Sequence, residues 1–242
     1  MSLLRSAGRT GPMSLLRSAG RTGPMSLLRS AARTGPMSLL RFADWTDPVP
    51  AAEREVVSRL PEDGTGQPPL LFVPGRGHTA AIFAEHWLGH AAGRGFPGYA
   101  VTPRPGGDLR AFVHDTIQVA ASMPRQAVLI GHGLGALTVA RALGRYPARA
   151  AVLVAPRVFP RLPLSRGWEL PDPVGAPPIL VAGSPDDRVV KRPALDRAAA
   201  RYGGAPLLFP GMGHDLMTGE SWAEPIDAIL DWLEKSLPVP GH

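Results

Sequence analysis

From residue 68 onward the chain repeats one pattern: a short apolar run, a loop rich in glycine or proline, then a stretch with helical periodicity. The apolar runs are Leu70–Val73, Gly98–Thr102, Ala127–Ile130, Ala150–Val154, Ile179–Ala182 and Pro206–Phe209. Short, nearly continuous apolar runs predict strands buried on both faces. Helices are predicted between them at 79–92, 108–121, 134–145 and 193–202, the last opening on Pro193, a good first helical residue. A final helix is predicted at 221–237, where Trp222, Ile226, Ile229, Leu230, Leu233 and Leu237 recur at helical spacing. Residues 51–60 predict one more helix ahead of the sheet. Such alternation over a single chain predicts an α/β fold with a mostly parallel sheet of about six strands and helices on both faces. Ligands of such sheets bind beyond the carboxyl ends of the strands, so the loops there hold the chemistry.

The amino-terminal segment obeys none of this. Residues 1–12 read MSLLRSAGRTGP and recur unchanged at 13–24, with one difference (Ala32) at 25–36, and in diverged form at 37–48. Twelve residues is shorter than any solenoid unit, and each copy offers little apolar material before breaking at Gly-Pro. Residues 1–48 therefore predict a disordered tail, and 49–242 the folded domain. A basic arm that touches membrane or nucleic acid is the sharper alternative for the tail.

The net charge of +6 sits in that tail. Residues 1–48 hold seven arginines and two aspartates, whereas the remainder holds 19 basic and 18 acidic residues. The domain thus has no bias towards nucleic acid. The chain has no cysteine, which excludes disulfides and thiolate chemistry and fits a cytoplasmic protein. No apolar run is long enough for a membrane helix, and no secretory h-region is present.

Three loops carry candidate chemistry. Gly131-His132-Gly133-Leu134-Gly135 follows the third strand and opens a helix. Gly183-Ser184-Pro185-Asp186-Asp187 follows the fifth, and Gly211-Met212-Gly213-His214 follows the last. Taken alone, the first is only a glycine-rich turn. With the other two, in this order, the chain resembles the α/β-hydrolase family over about residues 68–237, with its nucleophile elbow, acid loop and histidine loop. The family's common elbow reads G-H-S-L-G, so the nucleophile position here is Gly133.

The resemblance implies Asp186 as the acid, with Asp187 as the alternative, and His214 as the base. It implies an oxyanion hole from the backbone N–H groups of Leu134 and of Arg76, in the loop after the first strand. The stretch between Val154 and Ile179, where the family inserts a lid, is too short for a helical cap. An open site rimmed by Phe159, Leu164, Trp168 and Met212 is expected. His132 is expected to pack beneath the elbow, and His78, His86, His90 and His114 to lie on the surface or in loops. A zinc site from His78, His132 and His214 has no supporting H-x-x-x-H spacing, so neither metal nor cofactor is expected.

Glycine supplies no attacking oxygen, and an acyl-enzyme route is closed without one. Thr138, Ser184 and Ser122 are poorly placed to replace it. Three readings of the domain follow: a ligand- or partner-binding member without hydrolase activity, an Asp–His general base acting on water or substrate, or an esterase or thioesterase altered at residue 133. The implied ligand is a small acyl ester or thioester.

Overall fold

The structure is a computed structural model that describes residues 48–50, 52–63, 66–157, 170–172 and 177–237. Most of the repeat segment, and Phe159, Leu164 and Trp168 of the expected rim, lie outside the described residues.

Seven strands form one sheet: β1 (Val56–Arg59), β2 (Leu70–Val73), β3 (Gly98–Val101), β4 (Val128–His132), β5 (Ala150–Val154), β6 (Ile179–Gly183) and β7 (Leu207–Leu208). Their order across the sheet is β1-β3-β2-β4-β5-β6-β7. Every neighbouring pair is parallel except β1 with β3. Parallel neighbours need crossovers, and among the described residues six helices accompany the strands: α1 (Ala81–Ala84), α2 (Trp87–Gly93), α3 (Leu109–Ala121), α4 (Leu134–Ala142), α5 (Arg192–Arg201) and α6 (Ala223–Ser236).

Side-chain alternation along the central strands divides the core in two. Leu70, Phe72, Ile130 and Val152 face α1, α2 and α6 through Phe83, Trp87, Ile229 and Leu233. Leu71, Val73, Leu129 and Leu153 face α3, α4 and α5 through Val113, Leu137 and Ala198. Both faces of β2, β4 and β5 are fully buried, which is why these runs show no polar alternation.

Two expectations change. Residues 56–59 form an edge strand rather than part of a helix: Val56, Val57, Ser58 and Arg59 pair antiparallel with Val101, Ala100, Tyr99 and Gly98. The β-branched valines suit a half-buried strand, and the ladder from β3 overrides the helical character of the preceding residues. The helix expected over 79–92 is broken between Ala84 and Trp87, where His86 leaves helical geometry at φ −131° and ψ −59°.

Candidate active site

Gly133 alone makes the reversal between β4 and α4, at φ 56° and ψ −113°, a backbone region that side chains disfavour. The flanking glycines are demanded by close approach. A Cβ on Gly131 would lie 2.3 Å from the Gly135 carbonyl oxygen, and one on Gly135 would lie 2.1 Å from that of Val73. Position 133 differs. A Cβ there would make ordinary contacts, 3.5 Å from His214 Nε2 and 3.7 Å from Gly75 Cα. Space for a side chain therefore exists, and it opens towards His214.

The elbow is held from both sides. Gly133 N–H donates to the Val154 carbonyl at 2.9 Å, and Arg157 N–H donates to the Gly133 carbonyl at 3.1 Å. Between them Ala155 adopts φ 43°, the one positive φ outside glycine among the described residues. Leu134 is the first residue of α4, where a backbone N–H has no intrahelical acceptor. The loop after β2 lies against the elbow through Gly75, the residue before Arg76. The Arg76 side chain is exposed.

His214 points its other ring nitrogen at a buried carboxylate. Nδ1 lies 2.7 Å from Asp187 Oδ2, and the Asp187 side chain is fully buried. The other oxygen, Oδ1, accepts from the backbone N–H groups of Val189 and Val190 at 2.6 and 3.0 Å. A carboxylate paired in this way holds the proton on Nδ1 and leaves the Nε2 lone pair facing position 133. Asp186, expected in this role, is exposed and does something else: its Oδ2 accepts from Gly211 N–H at 2.7 Å. The turn explains the exchange. Ser184 Oγ accepts from Asp186 N–H at 3.1 Å and donates to the Met212 carbonyl at 2.7 Å, and the next residue turns inward. Ser184 and Asp186 thus tie the acid loop to the histidine loop.

Met212 is half-buried against the core, and it borders a cleft of about 350 Å³ together with His214 and Asp215. The Ser184 hydroxyl is engaged as above, and the Thr138 hydroxyl donates to the Leu134 carbonyl within α4 at 3.2 Å. Neither hydroxyl replaces a nucleophile.

Two groups here were not anticipated as partners. His132 is 1% exposed, its ring centroid 4.7 Å from that of His214. Its Nε2 donates to the His214 carbonyl at 3.2 Å, and its buried Nδ1 has no hydrogen-bond partner. Burial, followed by the neighbouring His214 charge, pushes its pKa down to about 4, so it is neutral near pH 7. Asp215 Oδ1 is buried and also lacks a hydrogen-bond partner. It lies 3.4 Å from His132 Nε2 and 3.6 Å from His78 Nε2. His132, His214 and Asp215 each present a donor atom within 4.8 Å of the others. The only sequence signal for Asp215 is an acid directly after the loop histidine.

His86, His90 and His114 lie on or beside helices, away from this cluster. His86 stacks on Trp222 at 4.6 Å, and His90 Nε2 meets Asp227 at 2.6 Å, both between the α2 region and the α6 region. His114 lies on α3 beside Asp115, and burial lowers its pKa.

Comparison with known proteins agrees with this architecture. The model of the alpha/beta hydrolase family matches residues 70–231. Esterase 2 of Thermogutta terrifontis, solved after reaction with tabun, is 19% identical with a TM-score of 0.59, covering 79% of this chain and 92% of its own. A lidless a/b serine hydrolase of Xanthomonas campestris is 19% identical with a TM-score of 0.58, covering 80% and 93%. Est1E of Butyrivibrio proteoclasticus is 14% identical with a TM-score of 0.60, covering 76% and 95%. No curated protein matches the sequence.

Proposed function

Since this chain belongs to the alpha/beta hydrolase family, related to esterases, we propose that it acts on a small acyl ester by general-base catalysis rather than through an acyl-enzyme. The observation that carries this reading is the space at Gly133. It opens towards His214 Nε2, 3.5 Å from where a Cβ would stand, while Nδ1 is held by the buried Asp187.

In this reading a water occupies the space that a serine side chain would fill. His214 Nε2 takes a proton from it as the oxygen attacks the acyl carbonyl. Asp187 stabilises the imidazolium that forms. The backbone N–H groups of Leu134 and Arg76 receive the charge developing on the carbonyl oxygen. Collapse of the tetrahedral species breaks the ester C–O bond, and His214 returns the proton to the leaving alkoxide. Ester and water become acid and alcohol with no covalent intermediate. The rate is modest, because loss of the nucleophile typically leaves about 10³–10⁴-fold over water.

Three forms of the chain test this with a short-chain aryl ester and a fluorophosphonate probe. The unmodified chain should hydrolyse the ester slowly and resist labelling. Gly133→Ser should be labelled and turn over faster. His214→Ala should lose the slow activity. Labelling of the unmodified chain would overturn the assignment of Gly133. A Gly133→Ser form that labels, alongside an unmodified chain with no hydrolysis, would instead favour the second reading: a binding protein built on hydrolase machinery. The glycine itself favours that alternative, since it removes the one atom an acyl-enzyme requires.

A further inference from the structure

We propose that His132, His214 and Asp215 form a site for a divalent transition metal ion of the zinc class, beside the gap at Gly133. The three donors come from the β4 end and from the loop after β7, and they converge within 4.8 Å of one another. Mixed imidazole and carboxylate donors are a set that zinc binds.

One of the three separations, Asp215 to His132, is that of two ligands on one ion. Asp215 Oδ1 is 3.4 Å from His132 Nε2 and 3.6 Å from His78 Nε2, and it receives no hydrogen bond although it is buried. Zinc bonds of about 2.0–2.1 Å in tetrahedral array place neighbouring donor atoms about 3.3–3.4 Å apart. The gap around Asp215 Oδ1 is therefore of the size that a bound ion spans. His132 is 1% exposed, so its ring is fixed by packing before any ion arrives. Its Nδ1 has no partner and is available to carry the ring proton when Nε2 turns its lone pair to a metal.

The third donor is already braced. Metal-binding histidines commonly give their other N–H to a carboxylate, and His214 gives Nδ1–H to Asp187 at 2.7 Å. The same pair that orients a general base thus orients a ligand. A water on such an ion is acidified towards neutral pH, which supplies a nucleophile where Gly133 supplies none. This catalytic role keeps the water attack proposed above but replaces its base, because His214 Nε2 bound to an ion has no lone pair left to take a proton; the binding itself does not rest on that reading.

The experiment uses the full chain, stripped with a chelator and titrated with Zn²⁺ alone by calorimetry. Titration with Co²⁺, followed by visible absorption, reports the coordination geometry. We expect one site with a tetrahedral Co²⁺ spectrum, weakened about tenfold or more by Asp215→Asn and by His132→Gln. His90→Ala, at the helical His90–Asp227 pair, should leave it unchanged. Absence of binding, binding indifferent to Asp215→Asn, or binding lost in His90→Ala would overturn the site. If His132→Gln does not fold, the part-exposed Asp215 decides alone. No turnover is needed, so a failed titration beside a labelled Gly133→Ser form would remove the metal and leave the general base standing.

Discussion

Two clusters of ionisable groups in this molecule are handled in opposite ways. On α3, Asp115 is almost fully buried and accepts from Arg54 Nε at 2.9 Å, from Arg104 Nε at 2.6 Å and from Arg104 Nη2. Burial pushes its pKa up, but the hydrogen bonds from Arg104 and Arg54 outweigh this and hold it below the ordinary carboxylate value. At the carboxyl end of the sheet, His132 Nδ1 and Asp215 Oδ1 are buried and have no hydrogen-bond partner. The first cluster saturates its charge and locks the segment around Arg54 onto α3. The second leaves a buried nitrogen and a buried carboxylate oxygen unpaired close to His214. Buried polar groups are normally satisfied; His114 Nδ1 beside Asp115 is also unpaired, so what distinguishes the second cluster is that its unpaired carboxylate oxygen sits among imidazole donors.

The largest effect that tests this contrast lies within the second cluster. In a Gly133→Ser background, Asp187→Asn should reduce kcat for an aryl ester by about 10⁴-fold, because the amide favours the wrong tautomer of His214. A loss below tenfold would mean that Asp187 is only a turn-forming residue. Next comes the saturated cluster. Asp115→Ala strands two arginines in a buried setting and should cost about 3–5 kcal/mol of stability, read from urea midpoints. A cost below about 1 kcal/mol would show the cluster to be a solvated surface pair.

The same aspartate sets a pH dependence of known sign. Its pKa is lower folded than unfolded, so the unfolded chain binds the extra proton. Its contribution is present above the unfolded value of about 3.9 and fades as pH falls through it towards the folded value. Urea midpoints should therefore drop between about pH 5 and pH 3. The drop should be shallower in Asp115→Asn, and equal slopes for the two forms would refute it.

How far these clusters were readable from residue order depends on what sets them. The sheet was readable because Leu70–Val73, Val128–His132 and Ala150–Val154 are buried on both faces, a property written in each run by itself. The edge strand β1 was not, because its pairing with β3 comes from a partner some forty residues away and its own burial is partial. At the site, the loops and their order were legible in glycine and histidine positions. The choice between Asp186 and Asp187 was not. It turns on Ser184 Oγ capturing Asp186 N–H and on Asp187 Oδ1 capturing Val189 and Val190, and these local bonds leave no trace in the order of two identical residues. The Arg54–Asp115–Arg104 cluster joins positions up to 61 apart and had no local signal at all.

A smaller effect separates strain from packing at the elbow. Gly133→Ala should destabilise by about 1–3 kcal/mol, because φ 56° and ψ −113° are costly for any side chain. The added methyl itself meets only ordinary contacts, the nearest 3.5 Å away. Gly133→Ser should cost about the same, since both variants load the same backbone. A serine much better tolerated than alanine would show that its hydroxyl finds His214.

The smallest expected effect concerns Asp186, the exposed neighbour of the buried acid. It accepts from Gly211 N–H at 2.7 Å, in the loop that leads to His214. Asp186→Asn keeps an oxygen able to accept that bond and removes only the charge. A charge-assisted bond exceeds a neutral one by about 1 kcal/mol, and exposure reduces the difference further. Stability should therefore fall by less than about 1 kcal/mol, and kcat in the Gly133→Ser background by only a few fold. Asp186→Ala removes the acceptor and should loosen the histidine loop, raising hydrogen exchange at Gly211 while Val189 and Val190 keep their protection. If Asp186→Asn instead matched Asp187→Asn in lost activity, the two aspartates would exchange roles, and the inward turn at Ser184 would no longer explain which carboxylate serves His214.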